Sequence, residues 1–394
     1  MVKTNIILIM NFNHTYQIIA GFALIICFSL TTDAQNVTLP PNGNTQRSIA
    51  TQYIGSLVTV TINYSSPDVH APDGTDRTGK IWGQLVPYGL TNLGFGTSTA
   101  APWRAGANEN TTIEFSHDVN VQGEKIKAGK YGLHLIVEES GPWTVIFSKN
   151  SSAWGSFFYN ESDDALRVKA SPKESEFNEW LTYEFIDRQA NSATVAMKWE
   201  NKMLPFNIEV PNINQLYVQN FRNELQSTAG FNWRGWVTAV NFCVNNDINL
   251  EEALTWSESA IAAPFIGQKN FTTLSAKASV LNKLNRNDEA NAIMDEAIKH
   301  RSATPQQIHQ YGRQLITQGN KEKALEVFRY NHKSNNGAWP TNYGLARGYS
   351  SLGNYKSALK YLKIAKTNVP QNDTINPPLI EANIKKLEKG EDIN

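Results

Sequence analysis

The chain has 394 residues, 41% of them hydrophobic, and carries 36 Lys+Arg against 36 Asp+Glu. That length holds two or three domains with cores of their own. The balanced charge supplies neither a basic field for nucleic acid nor a strongly acidic surface, so nucleic acid is disfavoured as a partner.

The first residues read as an export signal. Lys3 gives a positive start, an apolar run covers 18–30, and TTDA-Q follows with Thr32 and Ala34 at the small-residue positions of a signal-peptidase site. The expectation is a signal peptide over 1–34, cleaved after Ala34, from a start at Met1 or Met10. The run falls short of the roughly 18 apolar residues a membrane span needs, and no later stretch reaches that length, so no transmembrane segment is expected after signal removal. Cys27, flanked by Ile26 and Phe28, is a poor lipoprotein cysteine and leaves with the signal. Cys243, in VNFCVNN, then stands alone and reads as a small buried hydrophobe rather than a nucleophile. The expected location is outside the cytoplasm: periplasmic, outer-membrane-associated or secreted.

A polar linker, 35–46, leads into a β-patterned module over 47–211. LVTVTINY (57–64), TTIEFS (111–116) and ATVAMKW (193–199) alternate with period two. YGLHLIVE (131–138), WTVIFS (143–148), ALRVKA (165–170), WLTYEFI (180–186) and LPFNIEV (204–210) are further strand candidates. Short strands joined by turns such as EESGPW predict an antiparallel β-sandwich or jelly roll.

Helical spacing begins at 212, with a connector over 212–246 that includes amphipathic stretches at 213–226 and 233–245. Repeats follow over 247–377. Ala290, Ala324 and Ala358 lie 34 residues apart in similar local sequences. The clearest copy runs Leu345, Ala346, Tyr349, Gly353, Tyr355, Ala358, Leu362, Ala365 and Pro370. That period and that pattern mark the tetratricopeptide repeat, in which small residues let two antiparallel helices approach closely. Ala253 and Ala260 in 250–263 outline an irregular earlier copy, and 378–394 reads as a capping helix and tail. The predicted architecture is thus multidomain, a β-sandwich followed by an all-α tetratricopeptide-like solenoid. Such stacks present concave surfaces that commonly bind polypeptides, so a protein partner is expected there.

An ordered series of motifs runs through the β module: TVTINYSSP (59–67), GKIWGQLVPYG (79–89), WRAGANENTTIEFS (103–116) and AGKYGLHLI (128–136). WTVIFSK, WGSFFYN, LRVK, EWLTYEF and KWENKMLPFNIEV continue it to residue 210. In this series the module resembles the bacterial family called domain of unknown function 2911. The resemblance implies an exported protein, typically from the Bacteroidota and often with helical repeats appended; it brings no catalytic residues. Relative to the family, the loop before Trp103 is longer, with TNLGFGTSTAAP (91–102) added.

Trp103-Arg104-Ala105-Gly106-Ala107-Asn108-Glu109, just before a strand, is the leading site candidate. Arg104 can grip a carboxylate or phosphate in a fork, and Asn108 offers a donor and an acceptor. The structural alternative is an arginine locking loop to sheet through backbone carbonyls. His134 interrupts YGLHLIVE on the face shared with Gly132, Ile136 and Glu138, where it lines a pocket or is simply a hydrogen-bonded buried histidine. Six of the 10 tryptophans fall between Trp82 and Trp199. Trp143, Trp180 and Trp199 sit at strand positions and read as core, while Trp103 and Trp154 are candidate stacking platforms for a sugar. His70, His117 and His134, with Asp68, Asp73 and Asp76, lack metal-ligand spacing; no metal or cofactor is expected, and DGTD (73–76) reads as a turn. The acids Glu161, Asp163 and Asp164 read as a solvated loop. No nucleophile elbow, P-loop or dinucleotide fingerprint occurs. These features favour a binding and scaffold protein, with a ligand or glycan module (Trp103, Arg104, Asn108, His134, Trp154) and a repeat domain for protein partners. The competing reading is an exported hydrolase acting on a small ester or glycan.

Overall fold

The computed structural model describes residues 45–71 and 73–394. The expected signal peptide and nearly all of the expected linker lie outside the described residues. The chain divides into two compact units, Met1–Pro211 and Asn212–Asn394.

The first unit is built from ten strands: β1 (Gln46–Ile54), β2 (Val58–Ser66), β3 (Thr112–Phe115), β4 (Val119–Val121), β5 (Glu124–Ile126), β6 (Gly129–Ile136), β7 (Trp143–Ser148), β8 (Asp164–Ala170), β9 (Lys173–Ile186) and β10 (Ser192–Glu209). One sheet runs β1-β2-β3-β6-β7-β8 and the other β5-β4-β10-β9, and all these pairings are antiparallel. These are the antiparallel sheets that the sandwich reading predicts. Alternating residues of β2 point inward: Val58, Val60 and Ile62 have no exposed surface. They share the core with Phe115, Leu133 and Phe147 from the same sheet and Leu181, Val195 and Phe206 from the other. The Phe147 and Phe206 rings meet at 6.3 Å, and those of Tyr64 and Tyr183 at 4.8 Å. Each such side chain contributes about 1.5–3 kcal/mol by leaving water. Past β2 the chain crosses to the opposite sheet, where Leu181 N donates to Pro67 O and Val69 N to Glu179 O, both at 2.9 Å. The sheets are therefore tied together at that end.

Two departures from the sequence pattern are instructive. The stretches 193–199 and 204–210 form one strand, β10, joined through a bulge at Glu200 with φ 51°. β1 shows little inward apolar pattern because two of its three large apolar residues, Ile49 and Tyr53, face solvent, 67% and 60% exposed, while only Ile54 at its end is buried.

The second unit contains α1 (Ile213–Glu224), α2 (Trp233–Asn246), α3 (Leu250–Ala262), α4 (Phe271–Lys283), α5 (Asn287–Ala297), α6 (Pro305–Thr317), α7 (Lys321–Ser334), α8 (Trp339–Ser351), α9 (Tyr355–Asn368) and α10 (Asn376–Glu388). The starts of α4, α6 and α8 are 34 residues apart, as are those of α5, α7 and α9. Small residues form two columns at that period. Ala290, Ala324 and Ala358 are buried in the second helices; Ala278, Gly312 and Ala346 stand in the first. A Cβ added to Gly312 would lie 2.5 Å from the Phe328 ring, which shows how closely these helices pack. Thr304 and Gln307 close a capping box at the start of α6, with Pro305 at its first turn. After α8, Gly353 takes φ 76°, the left-handed conformation that releases the chain into α9. Ile380, Ile384 and Leu387 of α10 cover the end of the stack. Cys243 is fully buried, and burial pushes its thiol up to about 11, so it behaves as a hydrophobe. Among the described residues no helix is long and apolar enough to cross a membrane.

Candidate functional site

β3 pairs with β6 only as far as Gly132. Beyond it, the edge of β6 and the chain after it is taken up by loop backbone. Trp103 and Leu135 exchange both N–H···O bonds at 2.8 Å, and Gly89 N donates to Val137 O at 2.8 Å. The long segment between β2 and β3 is thereby docked along the sheet, and between its turns lies a cavity of about 420 Å³. Its wall includes Trp103, Arg104 and Asn108, and it takes in Trp199 from β10 and Asp68 and Arg77 from the loop after β2. Thr91, Leu93, Ala101 and Pro102, all in the added loop segment, line it as well. That segment is clamped at its base, where Thr91 and Ala101 exchange backbone bonds of 3.0 and 2.8 Å.

Arg104 is held by a rigid turn. Ala105 adopts φ 52°, rare for a residue with a side chain, and its carbonyl accepts from Tyr183 OH at 2.8 Å and Thr111 Oγ1 at 3.1 Å. Trp103 Nε1 donates to Gly106 O at 3.2 Å, and Ala107 N to Ser65 O at 3.0 Å. The Arg104 guanidinium rests against Gly155, where a Cβ would come within 2.6 Å of Nη1, and 5.1 Å from the Phe157 ring centre. Nη1 donates to Asn108 O at 2.7 Å. Among the described residues no carboxylate lies within ion-pair distance of it. Burial pushes its pKa down, with no acid to draw it back.

Arg77 is the contrast. It donates to the carbonyls of Asp68, Val69 and His70 at 3.0–3.1 Å and lies 3.7 Å from the Asp68 carboxylate. Arg77 thus locks its loop through three backbone carbonyls, whereas Arg104 gives one bond of that kind, to Asn108 O.

The other candidates separate. Asn108 lines the cavity, with Nδ2 donating to Thr45 Oγ1 at 2.8 Å. His134 stands one residue behind the wall: its Nδ1 is 2.9 Å from Ser156 Oγ, and Ser156 lines the cavity. His134 is 2% exposed, and burial, with a smaller effect from the Arg104 charge, pulls its pKa down to about 4. Its ring is neutral at working pH. Both faces of β6 are covered, so the alternation that set His134 apart from Leu133 and Leu135 separates two buried environments rather than core from solvent. Trp154 is 55% exposed and does not line the cavity. Trp143 and Trp199 are buried, yet Trp199 also forms cavity wall, its ring stacked on Trp103 at 6.0 Å and 18°. Ser156 and the cavity role of Arg77 carried no sequence signal, since neither sits in a recognisable motif.

Three histidines considered for a metal go to separate partners: His70 Nδ1 to Glu179 Oε1 at 2.6 Å, His117 Nδ1 to Ser116 Oγ at 2.9 Å, and His134 to Ser156. Among the described residues no group of three or more His, Cys, Asp or Glu is placed to hold a metal ion. Glu161 and Asp164 pair with Arg167 at 3.0 and 2.5 Å, which accounts for two of the three loop acids. Asp73 and Asp76 accept from Thr75 N and Thr78 N, the bonds of tight turns.

Fold and cavity together define a protein of two units, an antiparallel β-sandwich with a ligand-sized cavity and a tetratricopeptide-like helical stack. Residues 45–208 match the family described as protein of unknown function (DUF2911). No curated protein matches the chain. Among solved structures, YrrB, a TPR protein with an unusual peptide-binding site, is 20% identical over 44% of this chain and 84% of its own, with a TM-score of 0.29. A tetratricopeptide repeat protein from Parabacteroides merdae is 17% identical over 40% of this chain and 58% of its own, also with a TM-score of 0.29.

Proposed function

We propose that this is an exported bacterial binding and scaffold protein, whose β unit holds a small ligand or glycan and whose helical repeats dock a partner polypeptide. The observation that carries the ligand reading is the Arg104 cation on the wall of a 420 Å³ cavity without a carboxylate beside it. The cavity falls in the size range of small-molecule sites. Support for the partner reading is a hollow of about 220 Å³ on α4 and α6, lined by Gln306, Gln307, Gln310, Gln314 and Tyr311 among others. Glutamine amides both donate and accept, which suits a peptide backbone. Export rests on the apolar run and TTDA-Q at the N-terminus; mass spectrometry of protein from its native host should find Gln35 first, and retention of Met1 or Met10 would overturn it.

The ligand reading is tested by melting the full chain against a panel of small acids, neutral sugars and oligosaccharides. At least one should raise the melting temperature, and Leu93→Trp, which fills the cavity, should abolish that rise. A hydrolase has one observation in its favour, the Ser156–His134 contact at the cavity wall. A histidine held near 4 is a weak base at neutral pH, however, which favours binding over acyl transfer. Labelling of Ser156 by a fluorophosphonate probe would reverse that preference.

A further inference from the structure

We propose that the β-unit cavity takes a small monocarboxylic acid with an apolar body, its carboxylate seated on the Arg104 guanidinium. This rests on the reading of the cavity as a ligand site and narrows what the ligand is.

The charges on the wall set the first constraint. Asp68 and Arg77 both line the cavity and offset one another at 3.7 Å, which leaves Arg104 as the uncompensated charge. One cation calls for one negative charge. A phosphate dianion would bring one more negative charge than Arg104 offsets. A neutral sugar would leave a half-buried guanidinium without a counter-charge, an arrangement with a desolvation cost and no return.

Donors set the second. A guanidinium has five N–H groups in a planar fork matched to a carboxylate, and Arg104 gives one of its nitrogens, Nη1, to Asn108 O. Ser156, also on the wall, can turn its hydroxyl proton toward the cavity when His134 Nδ1 carries the hydrogen of their shared bond. The remaining wall is apolar: the stacked Trp103 and Trp199 rings, with Leu85, Val86, Leu93 and Pro102. The cation is also preorganised. Gly155 and Phe157 hold its plane, and the Ala105 turn fixes its backbone, so binding has little side-chain freedom left to quench.

The test is calorimetric titration of the full chain with octanoate and 4-phenylbutyrate, beside the matching primary amides and a neutral disaccharide, cellobiose. An acid should bind, its amide should bind at least tenfold more weakly, and Arg104→Gln should weaken the acid about 10- to 150-fold. Arg104→Lys, which keeps the charge but loses the fork, should recover part of the affinity. Gly155→Ala, which displaces the guanidinium without removing its charge, should also weaken the acid. Melting curves confirm that each variant is folded. Amides binding as well as acids, or an acid indifferent to both Arg104→Gln and Gly155→Ala, would overturn the proposal while the ligand reading stood. If cellobiose binds and neither acid does, the proposal fails and a neutral glycan takes its place. If none of the five probes binds, the proposal fails together with the ligand reading.

Discussion

Arg77 and Arg104 reach the same cavity and do different work there. Arg77 is bonded to three consecutive backbone carbonyls, so Arg77→Ala leaves these acceptors and Asp68 without their cation. We expect a loss of about 2–4 kcal/mol. Arg104→Ala releases a single carbonyl and a ring contact, and should cost about 1 kcal/mol. Urea unfolding of the two variants checks the order; a larger loss for Arg104 would make it the structural residue. The sequence marked Arg104 and Asn108 because both sit in a polar turn beside a strand, a local signal. It held nothing to separate Arg104 from Arg77, since what distinguishes them is how many carbonyls the folded loop brings to each. Ser156 was equally invisible: its link to His134 spans 22 residues and depends on how the loop before β8 folds back.

Among elements, the repeats were legible because each copy restates one packing rule. Ala324 is fully buried in α7, where a tryptophan forces the helices apart. Ala324→Trp should destabilise the helical unit by about 1–3 kcal/mol or more. Hydrogen exchange read by mass spectrometry should show protection lost in α4–α9 and kept in β1–β10; unchanged helical protection would mean the register is wrong. Strands were legible where one face is buried, as in β2. They were not where that contrast fails: β1 turns Ile49 and Tyr53 outward, and the β4–β5 hairpin has three residues per strand. β10 read as two strands because its bulge at Glu200 interrupts the alternation without ending the pairing.

At the scale of the whole molecule, each unit encloses a neutral histidine. Burial above all draws both His134 and His309 down to about 4 from the ordinary 6.5. The unfolded chain takes up these protons below about pH 6.5, whereas the folded chain resists until about pH 4. Stability from this source is therefore complete above pH 6.5 and is lost as the pH falls toward 4, by on the order of 3 kcal/mol for each histidine. Urea midpoints measured from pH 7 to pH 4.5 should fall accordingly, and His134→Gln should flatten part of the slope. An equal slope in that variant would place the acid sensitivity elsewhere. The clamp between Thr91 and Ala101 has a different kind of consequence. It closes a span whose two ends belong to the frame, while Leu93 within it faces the cavity. Sequence between those ends can lengthen, shorten or change its chemistry without altering any strand pairing. Exchanging one short stretch of wall would change what the cavity admits, so selection can act on the cavity while the sandwich beneath is inherited unchanged.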